Sequence, residues 1–193
     1  MSARLLALGS LALLALAFAD APLRTFGQRP RAHRWAERLV LLSIELNLLL
    51  LWAMAKLALR RDAPIAPESA APALAWAGMA LAWLGAAFAA WAKLRLGRWF
   101  SASFQVKPGH ALVTDGPYAV VRHPIYTGLL ACALGLAVAW NSLLTLGLAV
   151  ILAGPFALHA AVEEQMFTAH FGDAYRDYRR RVPALLPLPR RHG

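Results

Sequence analysis

Two short polar clusters, far apart in the chain, carry the side chains best suited to chemistry. The first is Arg122-His123-Pro124 and the second is Glu163-Glu164. Guanidinium and imidazole groups bind anions, whereas a pair of carboxylates binds a cation such as an ammonium group. Together the clusters would suit a small zwitterionic ligand. Alternatively, Arg122 pairs with Glu163 or Glu164, and the ion pair only ties the two segments together.

The apolar run Ile125–Val162 separates the clusters and determines whether they can meet. As one helix it would be roughly 57 Å long at ~1.5 Å per residue, about twice the ~30 Å hydrocarbon thickness of a bilayer. We therefore expect it to turn back at Asn141-Ser142, because Asn and Ser cap helices and the preceding Trp140 favours a membrane interface. Two spans, Ile125–Trp140 and Ser142–Val162, would bring both clusters to one membrane face.

The predicted helix ends give each cluster an electrostatic setting. Pro124 fits the first turn of a helix, where its missing N–H costs nothing. Arg122 and His123 would then lie at a positive helix N-terminus with free backbone N–H groups nearby, which is a setting for an anion. Glu163 and Glu164 would lie at a helix C-terminus, where acidic side chains oppose the helix dipole and need a cationic partner.

Three further apolar blocks predict membrane spans before these two. They are Leu5–Ala19, Leu39–Leu59 and Ala70–Ala92. The sequence thus predicts an all-α membrane protein of about five transmembrane helices, in which spans four and five form a tight hairpin. We expect a single domain over residues 1–193, with spans one to three in residues 1–92 and the functional core in residues 93–193. Leu5–Ala19 is also similar to a secretory signal, whose cleavage would follow Ala19.

The basic charge of the chain indicates orientation in a membrane. The net charge is +10, and with five alternating spans most of the Lys and Arg residues fall on the side of the C-terminus. The positive-inside rule then places the N-terminus outside and the C-terminus in the cytoplasm. We expect contact with anionic lipid rather than nucleic acid. The Ala/Arg-rich composition is typical of a GC-rich bacterium, and so of its inner membrane.

Two other features bear on function. The single cysteine, Cys132, lies inside span four and excludes an intramolecular disulfide and a cysteine-based metal site. No metal site is predicted. After span five, aromatic residues recur at helical spacing, interrupted by Gly172-Asp173, which we expect to end one helix and cap the next. This aromatic face suits an interfacial helix at the membrane surface. Its members are Phe167, Phe171, Tyr175 and Tyr178.

Two blocks of this sequence resemble a known family. HALVTDGPY over residues 110–118 and RHPIYTG over residues 122–128 look like the core motif of the isoprenylcysteine carboxyl methyltransferases and their phospholipid methyltransferase relatives. The C-terminal signature of that family resembles, in the same order, Glu163-Glu164, Phe171-Gly172, Tyr175, Tyr178 and Arg181-Val182-Pro183. The resemblance covers Leu96–Pro189, about half of the chain.

The resemblance implies methyl transfer from S-adenosyl-L-methionine, a zwitterion, to a lipidic or amphipathic acceptor at the cytoplasmic membrane face. By matching positions it implies that Glu163 takes the acidic role, with Glu164 beside it, and that Gln105 contacts the cofactor. The other implied cofactor contacts are His110, Leu112, Val113, Tyr118, His123, Pro124, Ile125 and Tyr126. The alternative for Tyr118 and Tyr126 is anchoring at the membrane interface.

The residues expected in catalysis are Arg122 and His159. In the eukaryotic enzymes an arginine that resembles a ligand of the substrate carboxylate precedes the Glu pair by four residues, and this chain has His159 there. A neutral histidine binds a carboxylate less well than the bidentate guanidinium does. The acceptor is therefore a carboxylate, a thiol or an amine, and for an amine His159 would be the base. Otherwise His159 is a neutral imidazole that bonds between helices.

Two other functions fit the same features. One is an NADPH-dependent membrane reductase with a related helical core, and the other is a non-enzymatic accessory membrane protein. The presence of both the Arg-His-Pro-x-Tyr block and the Glu pair favours the methyltransferase.

Overall fold

The computed structural model of the chain describes residues 49, 50, 53, 63–100 and 109–187. All regular structure in these residues is helical. The helices are α1 (Ala71–Leu96), α2 (Pro117–Val120), α3 (Pro124–Ala139), α4 (Leu143–Ile151), α5 (Ala153–Phe171) and α6 (Asp173–Arg181). Short 3-10 turns, Glu68–Ala70 and Gly97–Trp99, flank α1. The predicted span Leu5–Ala19, most of the predicted span Leu39–Leu59, and Gln105 lie outside the described residues.

Helices α1 and α3 pack against each other almost backbone to backbone. A Cβ atom added at Gly85 would lie 2.6 Å from the backbone nitrogen of Cys132, and one added at Gly128 would lie 2.7 Å from that of Ala89. About two helical turns further along α3, a Cβ added at Gly135 would lie 2.6 Å from the carbonyl oxygen of Gly78. No side chain fits at these positions, so the glycines set the separation of the two helices.

The sequence pattern behind this contact is a pair of matching stripes of small residues. On each helix the small residues alternate at spacings of four and three, so they stay on one face over several turns. Small residues let helices approach closely where apolar burial from water gives little driving force, as within a bilayer. The two stripes are Gly78, Ala82, Gly85, Ala89 on α1 and Gly128, Cys132, Gly135, Ala139 on α3.

The chain turns between α3 and α4 at residues 140–142. Asn141 adopts a positive φ of 51°, and its side chain bonds both the N–H and the carbonyl of Ala66 at 2.9 Å. Ser142 caps α4 by accepting a hydrogen bond from the N–H of Thr145. Trp140, just before this turn, is only 2% exposed and packs in the core with Leu136.

The predicted last span differs from the structure in two ways. The helix is interrupted at Leu152, between α4 and α5, where Pro155 lacks the N–H that would bond the carbonyl of Ile151. Helix α5 then continues to Phe171 rather than ending near Val162. Glu163 and Glu164 therefore lie in the interior of a helix, and the prediction that they oppose the dipole at a helix C-terminus is wrong.

Helix α6 follows α5 after one glycine. Gly172, at φ 58°, ends α5 and precedes Asp173, the first residue of α6, so the predicted break is confirmed. The aromatic side of α6 faces the protein, since Tyr175 and Tyr178 are almost fully buried. The hydroxyl of Tyr178 donates to the carbonyl of Tyr118 at 2.6 Å. Tyr175 and Tyr178 of the predicted aromatic face therefore contact the protein rather than lipid.

Two helical stretches are long and apolar enough to cross a membrane. They are Glu68–Trp99 and Leu143–Phe171, and less than a third of the most apolar part of the first is buried within the protein. Pro124–Ala139 is also apolar but shorter. Large apolar side chains project outward from α1, among them Trp76, Leu84 and Leu94.

Candidate functional site

Arg122 and Glu164 form a buried ion pair where the start of α3 meets α5. The Nε of Arg122 donates to Oε1 of Glu164 at 2.9 Å, and its second terminal nitrogen donates to the same oxygen. The side chains are 3% and 11% exposed. Arg179 of α6 adds a contact of 3.2 Å from its Nε to Oε2 of Glu164. Of the two possible partners of Arg122 in the second cluster, the structure shows Glu164.

His123 lies between the two carboxylates. Its Nδ1 is 3.1 Å from Oε2 of Glu163, and its Nε2 is 3.3 Å from Oε1 of Glu164. The imidazole side chain is only 3% exposed. Burial lowers the pKa of His123, but hydrogen bonds to Glu163 and Glu164 outweigh burial, and the pKa lies above its ordinary value.

Tyr126 connects Glu163 with the aromatic interior. Its hydroxyl donates to Oε1 of Glu163 at 2.9 Å. Its ring stacks between His123, at a centroid distance of 5.7 Å, and Phe156, at 5.3 Å. The ring of His159 meets that of Tyr126 edge-on at 5.9 Å. Glu163 is thus held by two neighbours, yet its side chain remains 23% exposed, so it can accept another donor.

His159 lies one helical turn from Glu163 along α5, on the same side of the helix. It is 5% exposed and contacts the ring of Tyr126. The structure therefore places it in the same cluster as Glu163, but further from the end of α5 at which α6 begins.

The segment after α6, residues 182–185, is bound across the start of α3. The backbone N–H groups of Arg122 and His123 donate to the carbonyls of Pro183 and Ala184 at 2.8 and 3.0 Å. The hydroxyl of Thr127 donates to the carbonyl of Leu185 at 2.7 Å. The expectation that these N–H groups are free is therefore wrong at Arg122 and His123. Ile125 and Tyr126 hold the remaining N–H groups of the first turn, where a helix supplies no acceptor.

The guanidinium of Arg122 is also used by this segment. One terminal nitrogen donates to the carbonyl of Arg179 at 3.1 Å and to that of Val182. With its two hydrogen bonds to Glu164, four of the five N–H donors of this side chain have protein acceptors. Arg122 therefore connects Glu164 with the end of α6 and the segment that follows it.

A second aromatic cluster surrounds His110, beside α5. The ring of His110 stacks on Trp99 at 4.9 Å and meets the edges of Phe167 and Phe171 at 6.0 and 5.8 Å. Leu112 and Val113 follow in an extended segment and are half-buried. An exposed ion pair between Arg95 and Asp115 joins this segment to the end of α1, and the hydrogen bond to Arg95 lowers the pKa of Asp115.

Tyr118 is buried on the inner side of α2. It is 7% exposed, and its hydroxyl donates to the carbonyl of Ala92 at 3.4 Å. Burial, with the nearby charge of Glu163, raises the pKa of Tyr118. Its predicted alternative as an exposed interface anchor is wrong. The structure thus gathers Tyr118, His123, Tyr126, Glu163 and Glu164 at one end of the helix bundle.

Sequence reasoning missed three participants at the site. Arg179 contacts Glu164, Phe156 stacks on Tyr126, and the carbonyls of residues 182–185 cover the start of α3. Phe156 could have been found by its spacing of seven residues from Glu163, which puts both on one side of a helix. Within the described residues no group of three or more His, Cys, Asp or Glu side chains could hold a metal ion.

A known protein family matches the part of the chain that contains this cluster. The family model described as phospholipid methyltransferase matches residues 73–174, from the start of α1 to the start of α6. This range is more than half of the chain and includes both polar clusters. The chain belongs to the phospholipid methyltransferase family.

Individual relatives match a shorter part of the chain. The protein-S-isoprenylcysteine O-methyltransferase of Schizosaccharomyces pombe is 42% identical over 80 residues, which are 41% of this chain and 34% of that protein. The cobalt-zinc-cadmium resistance protein CzcN of Cupriavidus metallidurans is 36% identical over 92 residues, 46% of this chain and 41% of the relative. The matches thus span between a third and a half of these relatives' own lengths.

A solved structure gives a wider match. The eukaryotic intramembrane Ras methyltransferase ICMT matches with a TM-score of 0.60 at 21% identity, over 94% of this chain and 65% of that one. At this identity the match shows a shared fold. The all-helical architecture is therefore shared with that protein.

Proposed function

We propose that this protein is an integral membrane methyltransferase that transfers the methyl group of S-adenosyl-L-methionine to a lipidic or amphipathic acceptor. The observation that carries the proposal is the cluster at one end of the bundle, where Glu163 is fixed by His123 and Tyr126 yet partly exposed. Family membership and the named activities of relatives support it.

The acidic half of the site fits the ammonium group of the cofactor. Glu163 has carboxylate lone pairs available for an ammonium group, and two neighbours fix its orientation. The carboxylate of the cofactor would be bound by backbone N–H groups, because the side chain of Arg122 already bonds Glu164 and the carbonyls of Arg179 and Val182. The first-turn N–H groups of Ile125 and Tyr126 are the donors for that carboxylate.

The cofactor supplies a methyl group already activated on a sulfonium. What the chain contributes is alignment and the exclusion of water, of which alignment alone contributes ~7–11 kcal/mol in well-oriented reactions. The aromatic face of Tyr126 would favour a nearby cation by about 0.5–2 kcal/mol. A carboxylate or thiolate acceptor needs no base, whereas an amine would pass its proton to His159.

The depth of His159 favours an acceptor that enters from the membrane. His159 lies about one helical turn, ~5–6 Å, before Glu163 in α5 and so further from the polar end of the bundle. The cofactor is held at the polar end of the helix bundle, and the acceptor approaches from the apolar side, where Tyr126 and Phe156 stack. This arrangement suits an amphipathic acceptor whose reactive group points towards the polar end.

The proposal includes the membrane arrangement of the chain. Residues 1–193 form one domain with about five spans, in which residues 93–193 are the cofactor-binding core. The N-terminus lies outside and the C-terminus in the cytoplasm, so that the site faces the cytoplasm. The basic side chains near the site, such as Arg95, Arg98 and Arg180, support this orientation.

The test is transfer of labelled methyl groups. Membranes that contain the protein are incubated with methyl-labelled S-adenosyl-L-methionine together with one class of acceptor at a time. The acceptor classes are extracted lipids, small thiols and prenylcysteine analogues. We expect the wild type to transfer label to one acceptor class. The control Glu68→Gln, which changes an exposed residue just before the start of α1, should transfer as much. Glu163→Gln should transfer at least tenfold less.

Two outcomes contradict the proposal. Transfer to no acceptor, together with no stabilisation of the purified protein by S-adenosyl-L-methionine, would favour an accessory role. Stabilisation by NADPH and not by S-adenosyl-L-methionine would favour a reductase.

A further inference from the structure

His123 has a carboxylate oxygen within hydrogen-bond distance of each ring nitrogen. The contacts are 3.1 Å from Nδ1 to Glu163 and 3.3 Å from Nε2 to Glu164. An ionised carboxylate only accepts hydrogen bonds, and a neutral imidazole donates from only one nitrogen. With a neutral ring, one of the two contacts would join two acceptors. The geometry therefore requires one proton more than a neutral histidine and two carboxylates provide.

The additional proton belongs to His123 and Glu163 rather than to Glu164. Oε1 of Glu164 accepts from Arg122, and Oε2 contacts Arg179, so both of its oxygens are bound by guanidinium groups. Glu163 has no such partner in the described part of the chain, where His123 is its one cationic neighbour and the hydroxyl of Tyr126 is neutral. The raised pKa of His123 agrees with this assignment.

Charged and titratable groups face this pair from every neighbouring element. Apart from the two carboxylates, they come from the start of α3, from α2, from α5 and from α6. They are Arg122, Tyr126, Tyr118, His159, Arg179 and Tyr175. The tyrosines near Glu163 and Glu164 stay protonated at neutral pH, and the arginines stay charged. Among these side chains only histidine has an ordinary pKa near neutral pH, and of the two histidines it is His123 that contacts both carboxylates.

We propose that His123 is a positioning residue that holds Glu163 with this proton, and that the cofactor's ammonium group, on binding at Glu163, drives the proton into solution. This inference rests on the proposed function. In the cofactor-free protein His123 supplies the positive charge that Glu163 needs. Once the ammonium group supplies that charge, a second cation on the buried ring is repelled. The N–H bond at one ring nitrogen breaks, its electron pair stays on the ring, and the proton passes to the buffer.

The direct test is a count of protons released on binding. Purified full-length protein in detergent is titrated with S-adenosyl-L-methionine by isothermal calorimetry at pH 6.5–7, in buffers with different ionisation enthalpies. We expect the apparent enthalpy to vary with the buffer and to report release of a fraction of a proton, up to about one per cofactor. The cofactor's own amino group, with a pKa of ~7.7–8.0, can only add proton uptake, which has the opposite sign.

Two variants compare His123 with a histidine outside the site. His123→Gln keeps a donor to Glu163 but cannot carry the proton, and we expect release to disappear. His170→Gln changes an exposed histidine further along α5, and we expect release to equal that of the wild type. Release that persists in His123→Gln, or binding by the wild type with no release or with uptake, would overturn the inference while leaving the proposed function in place.

A second measurement on the wild type alone protects the test if His123→Gln does not fold. Proton release on binding requires affinity to rise with pH, by up to about tenfold per pH unit while the pair is protonated. We expect this rise between pH 6 and 7.5. An affinity that is flat or falls over this range would contradict the inference. If the wild type does not bind the cofactor at any pH, the proposed function itself fails.

Discussion

Glu163 and Glu164 are neighbours in the sequence, yet their side chains contact different groups. Glu164 is enclosed by Arg122, His123 and Arg179 and is almost buried. Glu163 contacts His123 and the hydroxyl of Tyr126 and is partly exposed. Consecutive residues on a helix are ~100° apart, so they project towards different neighbours. From this division we propose that Glu164 has a mainly structural role and that Glu163 is the carboxylate that binds a ligand.

Substitution of each acid by glutamine should separate these roles. Glu164→Gln leaves the buried guanidinium of Arg122 without its counter-charge, and we expect a loss of about 3–5 kcal/mol in the free energy of unfolding. Glu163→Gln should change stability little, because the amide still bonds Tyr126, and should weaken cofactor binding by the ~1.5–3 kcal/mol of a charge-assisted hydrogen bond. Thermal unfolding of the purified protein and calorimetric binding measure the two effects.

The matched control is Glu68→Gln, which removes an exposed acid outside the site. It should leave both quantities unchanged. If Glu163→Gln destabilised the protein as much as Glu164→Gln, the two carboxylates would form one structural unit, and Glu163 would not be the ligand group.

At the scale of elements, the contact between α1 and α3 fixes the base on which the site is built. The start of α3 carries Arg122 and His123, and the end of α1 carries Arg95, which holds the segment containing Asp115. Because glycines face each other across the interface, the two helices have little freedom to shift along or away from each other. Matched stripes of small residues therefore determine the position of the polar groups at their ends.

Gly135→Ala tests this contact away from the site. The added methyl group would lie 2.6 Å from the carbonyl oxygen of Gly78, so the helices must separate, and we expect destabilisation of ~1–3 kcal/mol. Gly147→Ala is the matched control, because a Cβ there meets nothing within 4 Å. In that variant the higher helix propensity of Ala should stabilise by up to ~1 kcal/mol.

Heating followed by size-exclusion chromatography measures both glycine variants in the same detergent. Equal unfolding temperatures for Gly135→Ala and the wild type would mean that α1 and α3 are not packed as closely as the structure describes.

At the scale of the whole molecule, the proposed orientation places the ends of α1 on opposite membrane faces. The turn at residues 140–142 lies near Ala63 and Ala66, beside the start of α1. The site lies at the other end, near α6. If the C-terminus is cytoplasmic, Ser69 faces the outside and Arg180 faces the cytoplasm.

Labelling with a membrane-impermeant maleimide tests this orientation. The natural Cys132 is only 2% exposed, so the background from the wild type should be low. In intact cells we expect labelling of Ser69→Cys and not of Arg180→Cys, and in broken cells we expect labelling of both. The reverse pattern in intact cells would place the site on the outer face, where S-adenosyl-L-methionine is not available from the cytoplasm.

The sequence by itself determined the helical class, the candidate residues and the break at Gly172. Apolar length and polar clusters are local properties, and a glycine with a positive φ ends a helix whatever surrounds it. Periodicity also placed Phe167, Phe171, Tyr175 and Tyr178 on one side of their helices. The small residues of α1 and α3 repeat at spacings of four and three in the sequence, but only the structure shows that the two stripes pair.

Only the tertiary structure decided how those residues are used. Arg122 could have bound a ligand or Glu164, and the choice depends on carbonyls sixty residues away, in residues 182–185, that complete its hydrogen bonds. The aromatic side of α6 could have faced lipid or protein, because stacking and burial of aromatic rings are favourable in both. The division between Glu163 and Glu164, and the place of His123 between them, likewise follow from which side of α5 meets α3, which no local pattern specifies.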